Sequence, residues 1–240
     1  GVRTGLFIGG KNAEDALDMV DRAKKAFVPP FANHIFADPA GSFTTGAAMV
    51  AQVARALRQK HGTDLKGKRI VIFGGAGVVA YVAAVIGALE GAQSVLVGHD
   101  GEERVSKIAF TMKWRFGIEV GAVDGTTPED RRRAIADADV ILSAGPAGIP
   151  ILSAEDLESA PKLLVASDVN AVPPAGIAGI DVNAVDVPLP TGKGLGIGAL
   201  AVGNVKYQTQ CRLFRRMLQA DQPLCLDFRD AYTLAVEVTG

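Results

Sequence analysis

Cysteine and histidine are both scarce in this chain of 240 residues, which holds two of the first and three of the second. Cys211 and Cys225 lack the spacing of metal ligands and make no disulfide framework, so the expected compartment is reducing and cytoplasmic. His34, His61 and His99 are scattered, and each suits a structural or exposed place better than a metal, so no catalytic zinc is expected. Charge of one sign is lacking too: 25 basic against 26 acidic residues leave a net charge of -1, which argues against a nucleic-acid partner. No apolar run approaches the roughly 20 residues of a membrane span. The start has neither the charged nor the apolar region of a signal peptide. Gly1 is not a methionine, and Thr4 to Gly10 already reads as a strand and a turn, so the expectation is a fragment or processed form whose earlier segment is missing.

What is present is apolar, at 48% of residues, enough for one large or two modest domains. Its most informative stretch is Arg69-Ile-Val-Ile-Phe-Gly-Gly-Ala-Gly-Val-Val-Ala80. The β-branched run predicts a strand buried on both faces, and an apolar helix from Val78 to Glu90 follows a glycine-rich turn. Gly75, Gly77 and Ala80 fit the G-x-G-x-x-G/A spacing of a dinucleotide-binding turn. In that reading Gly75 permits the tight turn and Gly77 lets a pyrophosphate reach the backbone. Free N–H groups near Val78 and Val79, with Ala76 between the glycines, hold the phosphates. The plain alternative is a tight strand-to-helix turn with no ligand. A second strand, Ser94 to Gly98, ends at His99-Asp100, where such folds read the adenosine ribose. A carboxylate there favours NAD and a positive side chain favours NADP, so His99 beside Asp100 suggests tolerance of both; a solvated turn is the alternative.

The remaining pattern alternates. A helix spans about Asn12 to Phe27, with Ala16, Met19, Val20, Ala23 and Phe27 on one face, and Val28-Pro-Pro30 ends it. His34 to Ala37 reads as a strand, followed by a polar loop from Asp38 to Thr45 that opens an alanine-rich helix through Leu57. Helices over Glu102–Phe116 and 128–136 alternate with strands over 120–123, 139–145 and 163–168. This order predicts an α/β fold with a Rossmann-like, doubly wound parallel sheet. Trp114 and the methionines at 49, 112 and 217 fall on helical patterns and are expected in the core.

Five segments in register, Gly41-Ser-Phe-Thr-Thr-Gly46, Gly74 to Val79, Ser143 to Gly148, Asp168 to Asp181 and Gly198 to Lys206, give the chain a wider likeness. It resembles the methylene-tetrahydromethanopterin dehydrogenases of methylotrophic bacteria, in the form that accepts both NAD and NADP. The resemblance implies a second, smaller α/β substrate domain, here incomplete, from residues 1–43 and 219–240, beside a dinucleotide domain over 44–218. It also implies a hydride passed from N5,N10-methylene-tetrahydromethanopterin to NAD(P), with no triad or metal. The expected partners are the pterin and further copies of the chain. A methylene-tetrahydrofolate dehydrogenase and a non-catalytic NAD(P)-binding subunit are the alternatives.

On this resemblance Thr45 lies by the reacting rings and Lys206 orients the pterin, following a glycine-rich run from Gly194 to Gly203 whose flexibility suits a loop closing beside a ligand. Helix capping by Ser42, Thr44 or Thr45, and a solvated surface lysine, are the plain readings of the same residues. Ser42, Thr44, Gly9, Gly10 and Lys11 are expected on the substrate side. Ser143, Ala144, Gly145 and Pro146 end a strand where the nicotinamide ribose passes, and Asn170 is placed to meet the carboxamide, unless it only forms a turn.

Overall fold

Short β-branched runs, each followed by an alanine-rich or amphipathic stretch, leave the chain one economical way to bury both faces of its strands, which is to wrap helices around parallel sheets. The computed structural model describes residues 1, 3–28 and 31–240; the expected helix stop at Pro29 and Pro30 lies outside the described residues. The chain opens with β1 (Gly5–Ile8), α1 (Ala13–Ala26) and β2 (His34–Ala37), then a 3₁₀ turn over Pro39–Gly41 and α2 (Ser42–His61). The central part runs β3 (Arg69–Phe73), α3 (Val78–Leu89), β4 (Gln93–Gly98), α4 (Glu102–Phe116), β5 (Gly121–Asp124), α5 (Pro128–Ile135), β6 (Val140–Ser143), α6 (Ala154–Glu158) and β7 (Val165–Asp168). It closes with β8 (Val187–Pro188), β9 (Leu195–Ile197), α7 (Ala199–Gln219), β10 (Cys225–Leu226) and α8 (Phe228–Thr239).

Among the described residues, seven strands form the large sheet in the order β5-β4-β3-β6-β7-β9-β8. All neighbours are parallel except β8, which runs antiparallel to β9. The order reverses at β3, where Val71 pairs with Val95 on one side and Ile141 on the other. At such a reversal the helices leave to opposite faces and open a crevice beyond the carboxyl ends of the strands. A second, parallel sheet has the order β1-β2-β10, so residues from both ends of the chain share it.

Helix α2 joins the two sheets. Fourteen of its residues, from Phe43 to Leu57, are buried, and a side chain such as Phe43 or Leu57 contributes about 1.5–3 kcal/mol by leaving water. A Cβ on Gly46 would stand 2.8 Å from the Val82 Cβ and 2.9 Å from the Val79 carbonyl oxygen. Only a bare backbone lets α2 cross α3 this closely, and the crossing sets the start of α2 beside the first turn of α3. Phe228 stacks edge-on with Phe43 at 5.3 Å and Phe116 at 5.7 Å, tying α8 to α2 and α4. Arg115 of α4 reaches across to α1, pairing with Glu14 at 2.8 Å, Asp21 at 2.9 Å and also Asp18. Tyr81 of α3 donates to the same Glu14.

Three expectations need correcting. Met19 is exposed because the buried stripe of α1 is Ala13, Ala16, Leu17 and Val20, and Met19 points about 200° from Leu17. Trp114 is 79% exposed for the same reason: α4 buries Val105, Ala109 and Met112, which leaves Phe110 and Trp114 on the outer face. Met49, Met112 and Met217 are buried as expected. The glycine run from Gly194 to Gly203 is not a loop, since Leu195–Ile197 pairs into the sheet and Gly198 caps α7. Lys206 therefore rides a helix, two turns in.

Candidate active site

Beyond the carboxyl end of β3 lies a cleft of about 530 Å³, lined by Gly74, Ala76 and Gly77 on one wall and Ala144, Gly145 and Pro146 on the other. The turn that shapes it differs by one residue from the sequence expectation. Gly74, not Gly75, takes the left-handed conformation, at φ +76. A Cβ there would stand 2.4 Å from the Ala144 carbonyl oxygen. The working spacing is thus Gly74-x-x-Gly77-x-x-Ala80, closed by a hydrogen bond of 2.8 Å from the Gly77 N–H to the Gly74 carbonyl. Gly75 faces the other way: a Cβ on it would stand 2.9 Å from the Val97 carbonyl oxygen. Gly77 caps α3 without any side-chain hydrogen bond. The first N–H groups of the helix are therefore left for an anion, with the positive end of the dipole behind them.

Two guanidinium groups and an imidazole surround the outer half of this cleft. His99, Arg104 and Arg131 line it where β4 and β5 end. Arg131 is fixed by two hydrogen bonds of 3.3 Å to the carbonyls of Gly125 and Thr126, while its Nε is buried with no partner among the described residues. Arg104 carries an exposed pairing with Asp100 at 3.9 Å. A smaller recess of about 300 Å³ adjoins on the other side of the turn and is lined by Lys11, Ala76, Gly77, Val78, Tyr81, Arg104 and others. Burial, and then the hydrogen bond to Glu14, push the Tyr81 phenol above its ordinary range, so it remains a donor there.

Across the α2–α3 crossing stands a second polar cluster, built on Asp38 at the end of β2. This carboxylate is 1% exposed. It accepts from the Thr44 N–H at 3.1 Å, the Thr44 hydroxyl at 2.8 Å and the Gln210 amide at 2.7 Å. Lys206 Nζ donates to Gln210 Oε1 at 3.3 Å. Its Nζ lies only 3.2 Å from where a Cβ on Gly41 would be, and Thr45 donates its hydroxyl to the Gly41 carbonyl at 2.7 Å. Thr45 and Lys206, 161 positions apart in the chain, thus meet over one peptide.

The structure separates the expected site residues into groups. Gly77, Ala76, Val78, His99, Ala144, Gly145 and Pro146 line the two recesses, with Asp100 beside them. Thr45, Lys206 and Ser42 gather near Gly41, and Gly9 and Gly10 are exposed at the end of β1. Lys11 sits across from the glycine turn and not among the Asp38 group. Thr44 is fully buried and spends its hydroxyl on Asp38 and the Gly41 carbonyl. Ser143 is buried under Gly176 and reaches neither recess, and Val79 lines neither. Asn170 departs furthest from expectation. Its oxygen accepts from the N–H groups of Gly148 and Val172, and its amide donates to the Pro174 carbonyl, so it staples two loops. Asp38, Gln210, Arg104 and Arg131 escaped the sequence reading. A carboxylate directly after a buried strand, and a glutamine four residues after Lys206, were the available signals.

A sequence profile described as "Methylene-tetrahydromethanopterin dehydrogenase, N-terminal" matches residues 1–40. Over 240 residues the chain is 88% identical to the NAD(P)-dependent methylenetetrahydromethanopterin dehydrogenase of Methylorubrum extorquens, covering 100% of this chain and 81% of that protein. It is 30% identical over 235 residues to the bifunctional protein MdtA of the same organism, covering 98% of this chain and 79% of that protein. In fold it is similar to the L-tryptophan dehydrogenase of Nostoc punctiforme, with a TM-score of 0.51 at 13% identity, over 82% of this chain and 50% of that one. A cleft built on Gly74 and Gly77 and an identity of 88% across the whole chain lead to one assignment: the chain belongs to the family of NAD(P)-dependent methylenetetrahydromethanopterin dehydrogenases.

Proposed function

We propose that this chain oxidises N5,N10-methylene-tetrahydromethanopterin to the methenyl form, passing a hydride to NAD or NADP. The observation that carries this reading is the meeting of Thr45 and Lys206 over Gly41, one helix crossing away from the glycine turn. The residues present fit a dinucleotide: an uncapped helix start and a bare Gly77 on one wall, small residues on the other, and cations at the outer end. When bound, the dinucleotide supplies the hydride acceptor at C4 of its nicotinamide. The methylene carbon loses two electrons with the hydride, no proton leaves with it, and the adjoining nitrogens share the positive charge that remains.

The protein then has to position, and little else. In this reading Gly74, Ala76 and Gly77 take the diphosphate, with Lys11 facing them. Ala144, Gly145 and Pro146 admit the nicotinamide ribose closely, and Asn170 keeps their loop in place. Ser42, Thr45 and Lys206 present donors to the pterin, with Gly9 and Gly10 leaving room beside them. Asp38 fixes that cluster by accepting hydrogen bonds from Thr44 and Gln210. Residues 1–43 and 219–240, which share the three-stranded sheet, form the pterin side, and 44–218 the dinucleotide side. Two free thiols suit a reducing, cytoplasmic setting, and the exposed Phe110 and Trp114 suit assembly into a homo-oligomer.

Lys206→Ala tests the assignment. It should lower kcat/KM with the methylene pterin by about tenfold to a thousandfold, a loss of roughly 1.4–4 kcal/mol in transition-state binding. Dissociation constants for NAD and NADP should stay unchanged. Full turnover in this variant removes Lys206 from the reacting centre, and an equal loss of dinucleotide affinity moves it to the cofactor.

A further inference from the structure

We propose that Arg104 decides the use of NADP, by exchanging Asp100 for the adenosine 2′-phosphate. The inference rests on reading the cleft as the dinucleotide site. Asp100 stands between an imidazole and a guanidinium, 3.7 Å from His99 Nδ1 and 3.9 Å from Arg104 NH1. Neither distance is that of a tight hydrogen bond, and all three side chains are 48% exposed or more. Such pairs are worth little and are readily exchanged. Arg131, the other guanidinium on this wall, is held by Gly125 and Thr126 and has no such freedom.

The geometry gives each cofactor its own partner from one set of side chains. With NAD, Asp100 accepts from the ribose hydroxyls while Arg104, four residues on, neutralises it. With NADP, the phosphate repels Asp100 and takes over its guanidinium partner, because the planar fork of Arg104 matches phosphate oxygens two at a time. Asp100 then turns outward at little cost, because its carboxylate is already half in solvent. A single corner thereby serves both dinucleotides without a change of fold.

Arg104 also borders the recess with Lys11 and Gly77, so its competing role is to hold the diphosphate. Equilibrium titration of the wild-type chain, Arg104→Gln and Asp100→Asn with NAD, NADP, adenosine 2′,5′-bisphosphate and 5′-AMP separates the two. Arg104→Gln should weaken NADP and the bisphosphate by about 10- to 100-fold, as loss of a bidentate phosphate contact would, and leave NAD and 5′-AMP within about threefold. Asp100→Asn should move the preference the other way, tightening NADP and weakening NAD. Equal weakening of NAD and NADP in Arg104→Gln overturns the proposal in favour of the diphosphate, and no weakening of either overturns it outright. If Gly77→Val, folded by circular dichroism, keeps full affinity for both dinucleotides, the cleft reading itself fails and takes the proposal with it.

Discussion

Replacing Gly74 by alanine should damage the fold, whereas replacing Gly77 should damage only binding. Gly74 holds φ +76, where an L-residue costs about 1–2 kcal/mol. The added methyl would also stand 2.4 Å from the Ala144 carbonyl oxygen, 2.5 Å from its carbon and 2.7 Å from the Gly145 nitrogen. These are backbone atoms at the end of β6, so no rotamer relieves the overlap, and forced repacking adds about 1–3 kcal/mol. The sum, about 2–5 kcal/mol, corresponds to a fall in Tm of roughly 4–20 °C for a chain of this size. Gly77 has φ -88 and ψ 159, an extended conformation open to any residue, and its Cβ would lie 3.2 Å from the Gly74 carbonyl oxygen. Gly77→Val should therefore keep its fold while its side chain covers the N–H groups meant for the diphosphate. Thermal unfolding by circular dichroism, beside NADP titration, compares the two. A Gly74→Ala protein with wild-type Tm would refute the turn geometry.

Two further predictions concern stability. Asp156 is buried, which on its own raises a carboxyl pKa, but the Ser153 N–H and hydroxyl and the Arg132 guanidinium together outweigh this and hold it below the usual range. A depressed folded pKa stabilises the protein above the unfolded value of about 3.9 and ceases to do so as pH falls through the folded one. Asp156→Asn should cost about 1–2 kcal/mol at neutral pH in urea unfolding, with the gap to wild type closing on acidification; a gap independent of pH would refute the assignment. Arg115→Ala should cost about 1–3 kcal/mol, chiefly through Glu14, because Asp18 and Asp21 are half exposed. Adding Tyr81→Phe to it should cost less than the two separate losses combined, since both residues act on Glu14.

Much of this fold is legible because its signals are local. The helix over Glu102–Phe116 shows both ends in the sequence, an acidic first turn and a left-handed Gly117. The buried strand before the glycine turn announces itself by β-branched residues alone. Other features depend on distant parts of the chain. Leu195–Ile197 becomes a strand only because the edge of β7 is free to pair with it, and two adjacent glycines give no sign of which will turn left-handed until Ala144 is in place. The candidate site divides in the same way. Glycines and hydroxyls at helix starts stand out, but Asp38 gains its meaning from Gln210, which lies 172 residues away. Asn170 looks like a ligand until Gly148, Val172 and Pro174 claim its side chain.

The most direct test of the central claim follows both products of one reaction in the same cuvette. The purified chain is given methylene-tetrahydromethanopterin with NADP, then with NAD, and reduced nicotinamide and the methenyl pterin are recorded by absorbance. The two should rise together in equal amounts with either dinucleotide, at a rate proportional to the chain and cut by Lys206→Ala. Formation of neither product by the folded, dinucleotide-binding chain would contradict it.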